Sequence, residues 1–542
     1  MADDLRVFVA LEGGGAKGLV HIGALKALEE RGATFCGLAG TSAGAIVAAL
    51  KAAGFSADDM VDPLKRTTLL PQIDASFQNA TDFFGKAAWS NIAIFRRVGQ
   101  LGGGGLSAVV MAAAIALLGS VALAASAFGA PGAVITIVAW ALAAWASFNF
   151  IMQGLASVKT FRDVLDRVLR TKMFPKEAGR VVRFRDFDGF KAPSLKIVAT
   201  NLTKGELQLF SPEETPDVAV ADAVAASICL PLVFEAWVID KMLHFDGGLV
   251  SNLPAWTFDE ERAIDPDATT IAIEIKTAQK AAMPPTIRRW LVPAIKTAVF
   301  GSSILNKRGV GRFEAVALET DLELLAFDAN GDKVFQAVTG ATAAARIAIV
   351  QRLFVGPQIY RDACAAVRDL VRDVLGKDLG LLGGQTFSGR IRVARAAPAS
   401  GHRKTLRFDY GVGFDTDDDT DEELLIPIAG THVGKAYAER ETTFSYFRVP
   451  GIAGLAAGER PPYVGLDRHR KRLIWRDMAW LFCIPIFADP AGDTAAPVFV
   501  VTVDCNQAID PEAENLPSVL DLLKTQTETI FAKAMANLKG SA

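Results

Sequence analysis

From Val98 to Val158 the chain carries no charged side chain. A solvent-facing stretch of that length would carry charges, so this one belongs against something apolar, either protein or lipid. It divides into two apolar halves, Leu106 to Phe128 and Ala133 to Leu155, separated by the turn signal Gly129-Ala130-Pro131-Gly132. Each half has about the 20 residues that a helix needs to cross a bilayer. Arg96 and Arg97 precede the stretch, and Lys159 and Arg162 follow it. Two spans with a short connector return the chain to the side it left, which the positive-inside rule makes the cytoplasm. The expectation is an inserted apolar helical hairpin at 98–158 that spans the membrane through residues 106–155, with the domain around it facing the cytoplasm. A hairpin buried in a large core or in an oligomer interface is the alternative. Trp140 and Trp145 lie inside the second half, away from interfacial positions.

At 542 residues the chain predicts two to four units. The formal net charge of -3 and the lack of a long basic run argue against a nucleic-acid partner. Five scattered cysteines with no Cys-x-x-Cys pair point to a reducing compartment rather than a disulfide framework or a zinc site. The N-terminus runs from Met1 almost at once into a strand-like segment, so no secretory signal is expected.

The first sixty residues set the fold class. Val7 to Leu11 read as a strand and lead into Glu12-Gly13-Gly14-Gly15-Ala16-Lys17-Gly18; Leu19, Ile22, Leu25 and Leu28 follow at helical spacing. Cys36 to Ala39 read as a second strand, then come Gly40-Thr41-Ser42-Ala43-Gly44 and a helix stopped by Gly54. This repeated strand, glycine turn and helix is the rhythm of an α/β fold with a parallel sheet. Further strands are expected at Ser194 to Ala199 and Thr269 to Ile275, with a short helix at Asp222 to Leu230. The expected domains are an α/β domain at 1–280, a helical extension at 281–380 and an α+β domain at 385–542. In the last of these, strand-like runs at Met478 to Phe487 and Val498 to Asp504 precede an amphipathic helix at Leu516 to Leu538. The acidic run Asp415 to Glu423 reads as a solvated loop rather than a cation site.

Gly40-Thr41-Ser42-Ala43-Gly44 fits the nucleophile-elbow pattern, in which a serine sits on a sharp strand-to-helix turn. The helix after it aims its positive end at an oxyanion. The Gly13-Gly14-Gly15 loop has three readings: a phosphate cradle, oxyanion donors or a tight turn. A nucleophilic serine needs a base. Of the five histidines, His402, His432 and His469 lie in the C-terminal region, and His21 falls on the packed face of the first helix. His244 and Asp246 stand two residues apart on one expected strand and are the two candidates.

Three of these segments, Glu12 to Gly18, Gly40 to Gly44 and Asp246-Gly247-Gly248, resemble in order the signatures of patatin-like phospholipases. Ala199 to Gly205, Ala226 to Pro231 and Asn252-Leu253-Pro254 are smaller matches. The resemblance covers Leu5 to about Thr277, leaving out the apolar insert. It implies a patatin-like three-layer domain with a mainly parallel sheet. It also implies a Ser–Asp dyad, with Ser42 as nucleophile and Asp246 as base. The amides of Gly13, Gly14, Gly15 and Ala43 would form the oxyanion hole. Lys17, Gly18, Gly40, Gly44, Gly247 and Gly248 would support the motifs. The implied reaction is hydrolysis of phospholipid or other acyl esters, with no cofactor and no metal. The C-terminal region, through Gly430 to Tyr437, Leu481 to Phe487 and Val498 to Asp504, resembles GAF-like sensor domains. That likeness implies small-molecule binding or dimerisation into a homo-oligomer. The competing readings are a membrane-attached sensor or scaffold with an inactive hydrolase domain, and a soluble esterase or thioesterase.

Overall fold

The computed structural model describes residues 5–69, 71, 80–83, 88–93, 102–188, 192–265, 268–277, 313–349, 353, 355–377, 389–396, 405–413, 424–447, 466, 470, 475, 478–488, 496–507, 509–510 and 512–540. The chain divides into two compact units, Met1–Arg346 and Ile347–Ala542. Arg96, Arg97, His402, His469, the acidic run Asp415 to Glu423 and the 278–312 part of the expected helical extension lie outside the described residues.

The first unit is built on β1 (Arg6–Leu11), β2 (Thr34–Thr41), the short β3 (Val61–Asp62) and β4 (Thr67–Thr68), β5 (Ser194–Asn201), β6 (Glu206–Phe210), β7 (Trp237–Ile239), β8 (Met242–Asp246), β9 (Thr269–Thr277) and β10 (Phe313–Thr320). The main sheet runs in the order β10-β9-β1-β2-β5-β8-β7, with β6 also paired to β5. The run from β10 to β5 is parallel. Val7, Val9 and Leu11 of β1 are fully buried, as are Leu195, Ile197 and Val198 of β5. Near-continuous apolar strands of this kind belong to a sheet covered on both faces. Helix α1 (Val20–Glu30) follows β1, and α2 (Ala43–Ala52) follows and packs on β2.

The inserted hairpin is α3 (Gly102–Gln153), broken at Gly129, which takes φ 66 and ψ -159. Trp140 Nε1 donates to Ser120 Oγ at 3.1 Å. Along one straight helix those residues would stand about 30 Å apart, so the chain folds back on itself. The outer surface is apolar: Leu118 is 69% exposed, Phe128 77% and Trp145 67%. The second arm ends before the expected Leu155. Gly154 turns the chain at φ +98. The amides of Leu155 and Ala156 then donate to Val233 O, each at 3.1 Å. Ala156 and Val158 are buried with Val233 and Phe234. The end of the expected insert is therefore part of the core of the first unit.

After the hairpin come α4 (Lys159–Met173), α5 (Val220–Ile228), which packs on β5 and β8, and the short α6 (Asp259–Ile264). Strand β10 corrects the expectation of a mainly helical stretch beyond 280. Its spacing fits helix and strand alike, and parallel pairing along β9 decides the matter. Helix α7 (Gly331–Ile349) follows β10, and α8 (Gly356–Lys377) lies in the second unit, so the expected 281–380 segment is divided between the units.

The second unit holds a six-stranded antiparallel sheet. Its strands are β11 (Gly389–Ala396), β12 (Thr405–Val412), β13 (Ile426–Pro427), β14 (Thr443–Tyr446), β15 (Trp480–Ile486) and β16 (Phe499–Cys505), in the order β13-β12-β11-β16-β15-β14. Strict alternation sends Phe482, Val501 and Val503 to one face, with residues of α8 and of the last helix, α10 (Leu516–Gly540). Leu481, Cys483 and Val500 go to the other, near Val433 of α9 (His432–Glu439).

Candidate active site

Sheet register brings the two halves of the site together. On β5, Ile197 and Val198 pair with both β2 and β6, so those strands occupy opposite edges. Residues Ala199–Asn201 pair with both β6 and β8, so β8 shares the edge of β2. Strand β2 ends with Thr41 opposite Val198, while β8 runs the other way and ends with Asp246 opposite Ala199. The two C-terminal ends therefore meet head to head at consecutive residues of β5, leaving Ser42 and Asp246 side by side.

Ser42 occupies φ 53 and ψ -123, a conformation that costs a non-glycine residue about 1–3 kcal/mol. The turn persists because the surrounding backbone is packed around it. A Cβ on Gly40 would stand 2.4 Å from the backbone of Gly44, and one on Gly44 2.3 Å from Leu11 O. Thr41 Oγ1 donates to Ser251 O at 2.8 Å, and the amide of Ser42 donates to Ser227 Oγ at 2.9 Å. Ser42 is close enough to Asp246 to pull its carboxyl pKa down.

Asp246 is 2% exposed. Burial pushes its carboxyl from the ordinary 3.8 up to about 6, against the opposing pull of the Ser42 and Gly248 hydrogen bonds. The Gly248 amide, in the single turn Gly247–Leu249, donates to Asp246 Oδ1 at 2.7 Å. The Asp246 main chain is held on both sides: its amide donates to Cys229 O at 2.9 Å, and its carbonyl accepts from Thr200 Oγ1 at 2.8 Å.

The glycine loop turns beside this pair. Gly15 takes φ +54, and a Cβ there would lie 2.3 Å from Leu324 O, so only glycine fits. The amide of Gly13 donates to Asn252 O at 2.9 Å. This corrects the expectation that Gly13 belongs to the oxyanion hole, because a donor already committed to a buried carbonyl has no second proton to offer. Among the described residues no such bond is present for the amides of Gly14, Gly15 or Ala43, and all three residues line the cavity at Ser42. Gly18 packs against Ala43, where an added Cβ would come within 2.5 Å of the Ala43 Cβ.

Two residues whose part was not legible in the sequence clamp the loop. Glu12 is 8% exposed; Oε1 accepts from Asn252 Nδ2 at 3.1 Å and Oε2 from the Ile275 amide at 2.7 Å. Asn252 Nδ2 also donates to Gly13 O at 3.3 Å. Acidic and amide side chains beside glycines read as turn residues in sequence, and only the fold shows that they bond across strands. Lys17 sits half-buried in the turn Gly15–Leu19 and does not line the cavity. The two histidines of this unit also stand apart from the cavity. His21 is fully buried, with Nε2 2.7 Å from Glu12 O, and burial lowers its pKa to about 4. The His244 ring lies 5.7 Å from the Phe210 ring, tilted at 50°, and burial lowers its pKa too.

The cavity has a volume of about 760 Å³, and Ser42 and Asp246 lie in its wall with Gly13–Gly15. The remainder is overwhelmingly apolar and includes Ile46, Leu50, Val164, Leu230, Phe234 and Phe327.

Residues 9–259 match the family described as patatin-like phospholipase. This region is a patatin-like phospholipase domain. A probable lipid hydrolase, 463L, of Invertebrate iridescent virus 6 is 29% identical over 86 residues, covering 16% of this chain and 30% of the viral protein. An uncharacterized NTE family protein of Mycobacterium tuberculosis is 53% identical over 49 residues, covering 9% of this chain and 14% of that protein. The chain thus matches less than a third of the length of either relative. Among solved structures, VipD from Legionella pneumophila aligns with a TM-score of 0.31 at 16% identity, covering 69% of this chain and 77% of that chain. The patatin-like domain does not close the cavity alone. Leu324, Phe327 and Phe335, beyond the matched residues, complete its wall.

Proposed function

We propose that this protein is a serine acyl-hydrolase of phospholipase A or lysophospholipase type, acting on lipid acyl esters through Ser42 and Asp246. One observation carries the reading: a serine on a strained turn, beside a buried carboxylate at the end of the neighbouring strand, opens into an apolar cavity of about 760 Å³. That size falls within the usual range of small-molecule pockets. In this reading Asp246 takes the Ser42 proton as Oγ attacks the ester carbonyl. The amides of Gly14, Gly15 and Ala43 receive the developing oxyanion, each donor contributing about 3 kcal/mol. The C–O bond then breaks, the alcohol leaves with the proton from Asp246, and an acyl-enzyme remains. Water, deprotonated by Asp246, releases the fatty acid and restores Ser42.

The helical hairpin is proposed to hold the protein in a membrane. Its outer surface is apolar, and Ser120, Ser126 and Thr136 donate their hydroxyls to carbonyls of their own helix, at 2.9, 2.8 and 3.0 Å. Satisfied hydroxyls and uncharged arms suit a lipid environment. Anchoring would keep the site near its substrate and raise its effective concentration. The second unit, on its resemblance to GAF-like sensor domains, is proposed to regulate the first by binding a small molecule or by dimerising.

The test is lipid mass spectrometry of mixed bilayers incubated with the parent protein or Ser42→Ala. Free fatty acid and lysolipid should accumulate only with the parent. Equal product from both proteins would remove Ser42 as the nucleophile.

A further inference from the structure

The Ala226-Ser227-Ile228-Cys229-Leu230-Pro231 segment has no part in the chemistry above, yet the end of α5 touches both members of the pair. Ser227 is fully buried and does not line the cavity. Its hydroxyl accepts from the Ser42 amide at 2.9 Å and donates to Val198 O at 2.7 Å. Two residues on, Cys229 O accepts from the Asp246 amide at 2.9 Å. Val198 is the β5 residue opposite Thr41, and its neighbour Ala199 is opposite Asp246. One short stretch, 227–229, therefore ties the main chain of the serine, the main chain of the aspartate and the strand between them.

We infer that Ser227 is a positioning residue that fixes the strained backbone of Ser42, and with it the distance and direction from Ser42 Oγ to Asp246. Strand β2 ends at Thr41 and α2 begins only after Ser42, so the Ser42 amide has no place in either ladder. That amide is buried, and a buried N–H without an acceptor is destabilising. Ser227 supplies the acceptor, and by donating onward to Val198 it locks the hydroxyl's direction. Only a group that both donates and accepts can fill this place, which serine does with the least volume. Without it the elbow is free to relax toward an ordinary conformation, carrying Oγ off its line to the carboxylate. Misplacement by about 1 Å costs roughly 10²-fold in rate.

The inference rests on Ser42 being the nucleophile, so the experiment separates the two claims. Parent, Ser227→Ala and Ser227→Cys proteins are incubated with a fluorophosphonate, the labelled residue is identified by mass spectrometry, and ester hydrolysis is followed in parallel. The parent should label at Ser42; labelling elsewhere or none would end the nucleophile reading itself. Ser227→Ala should still label at Ser42, but about 10- to 100-fold more slowly. Its kcat should fall by the same factor with KM unchanged. Ser227→Cys keeps the shape with a poorer acceptor and should fall between the two. Parent-like labelling and kcat in Ser227→Ala would overturn the inference. So would loss of the thermal unfolding transition in both variants, which would assign Ser227 to stability alone.

Discussion

Below pH 6, hydrolysis by this protein should fall about tenfold for each further pH unit. In the proposed mechanism only ionised Asp246 can take the Ser42 proton, and burial raises its carboxyl from 3.8 to about 6. At pH 5 about one tenth of the molecules would carry the charged base, whereas an unperturbed carboxyl would be about nine-tenths ionised there. The profile of kcat/KM reports the free enzyme. It should therefore rise with a slope of one to a midpoint near pH 6 and level off above pH 7. A soluble medium-chain ester with chromatographic product analysis avoids confounding by changes in the bilayer. Stability should respond in the opposite sense. A carboxyl whose folded value is raised contributes stability fully below its unfolded value, and loses it as pH rises through the folded one. The interval from 3.8 to about 6 corresponds to about 3 kcal/mol, with about half already lost at pH 5. Asp246→Asn removes this titration along with the activity. In urea denaturation its stability relative to the parent should therefore improve by about 1–2 kcal/mol between pH 5 and pH 8. A parent profile flat from pH 5 to pH 8, or a stability difference independent of pH, would refute the assignment of Asp246 as a buried titrating base.

Other outcomes follow from the same geometry. Gly15→Ala forces a side chain into a positive-φ position against Leu324 O; thermal melting should show a loss of about 1–3 kcal/mol, and hydrolysis should collapse with the loop. Glu12→Ala leaves the Ile275 N–H without its carboxylate acceptor and removes one acceptor of Asn252 Nδ2; it should cost about 1–3 kcal/mol in denaturation, with weaker hydrolysis. Excising residues 102–153 while keeping Gly154 to Val158 in the core should abolish flotation with vesicles and spare hydrolysis of a soluble ester; continued flotation would refute the hairpin as the anchor.

The candidate groups of the site lie in short local motifs, which the sequence names and the family resemblance orders. A serine between small residues, a glycine loop before a helix and an Asp-Gly-Gly turn are short-range backbone requirements, readable within five or six residues. The uncharged run with a Gly/Pro break fixed a hairpin for the same reason. What only the tertiary structure decided depends on pairing between distant segments. The meeting of Ser42 with Asp246 comes from β2 and β8 sharing one edge of β5, which no local pattern encodes. The loss of Gly13 as a donor depends on Asn252 lying across from it, and the core role of Leu155 and Ala156 on Val233. Strand β10 had an ambiguous period until β9 paired with it. Hydrogen-bond partners and burial are properties of the packed chain, so propensity and spacing can name the candidate groups but cannot say which donors remain free to act.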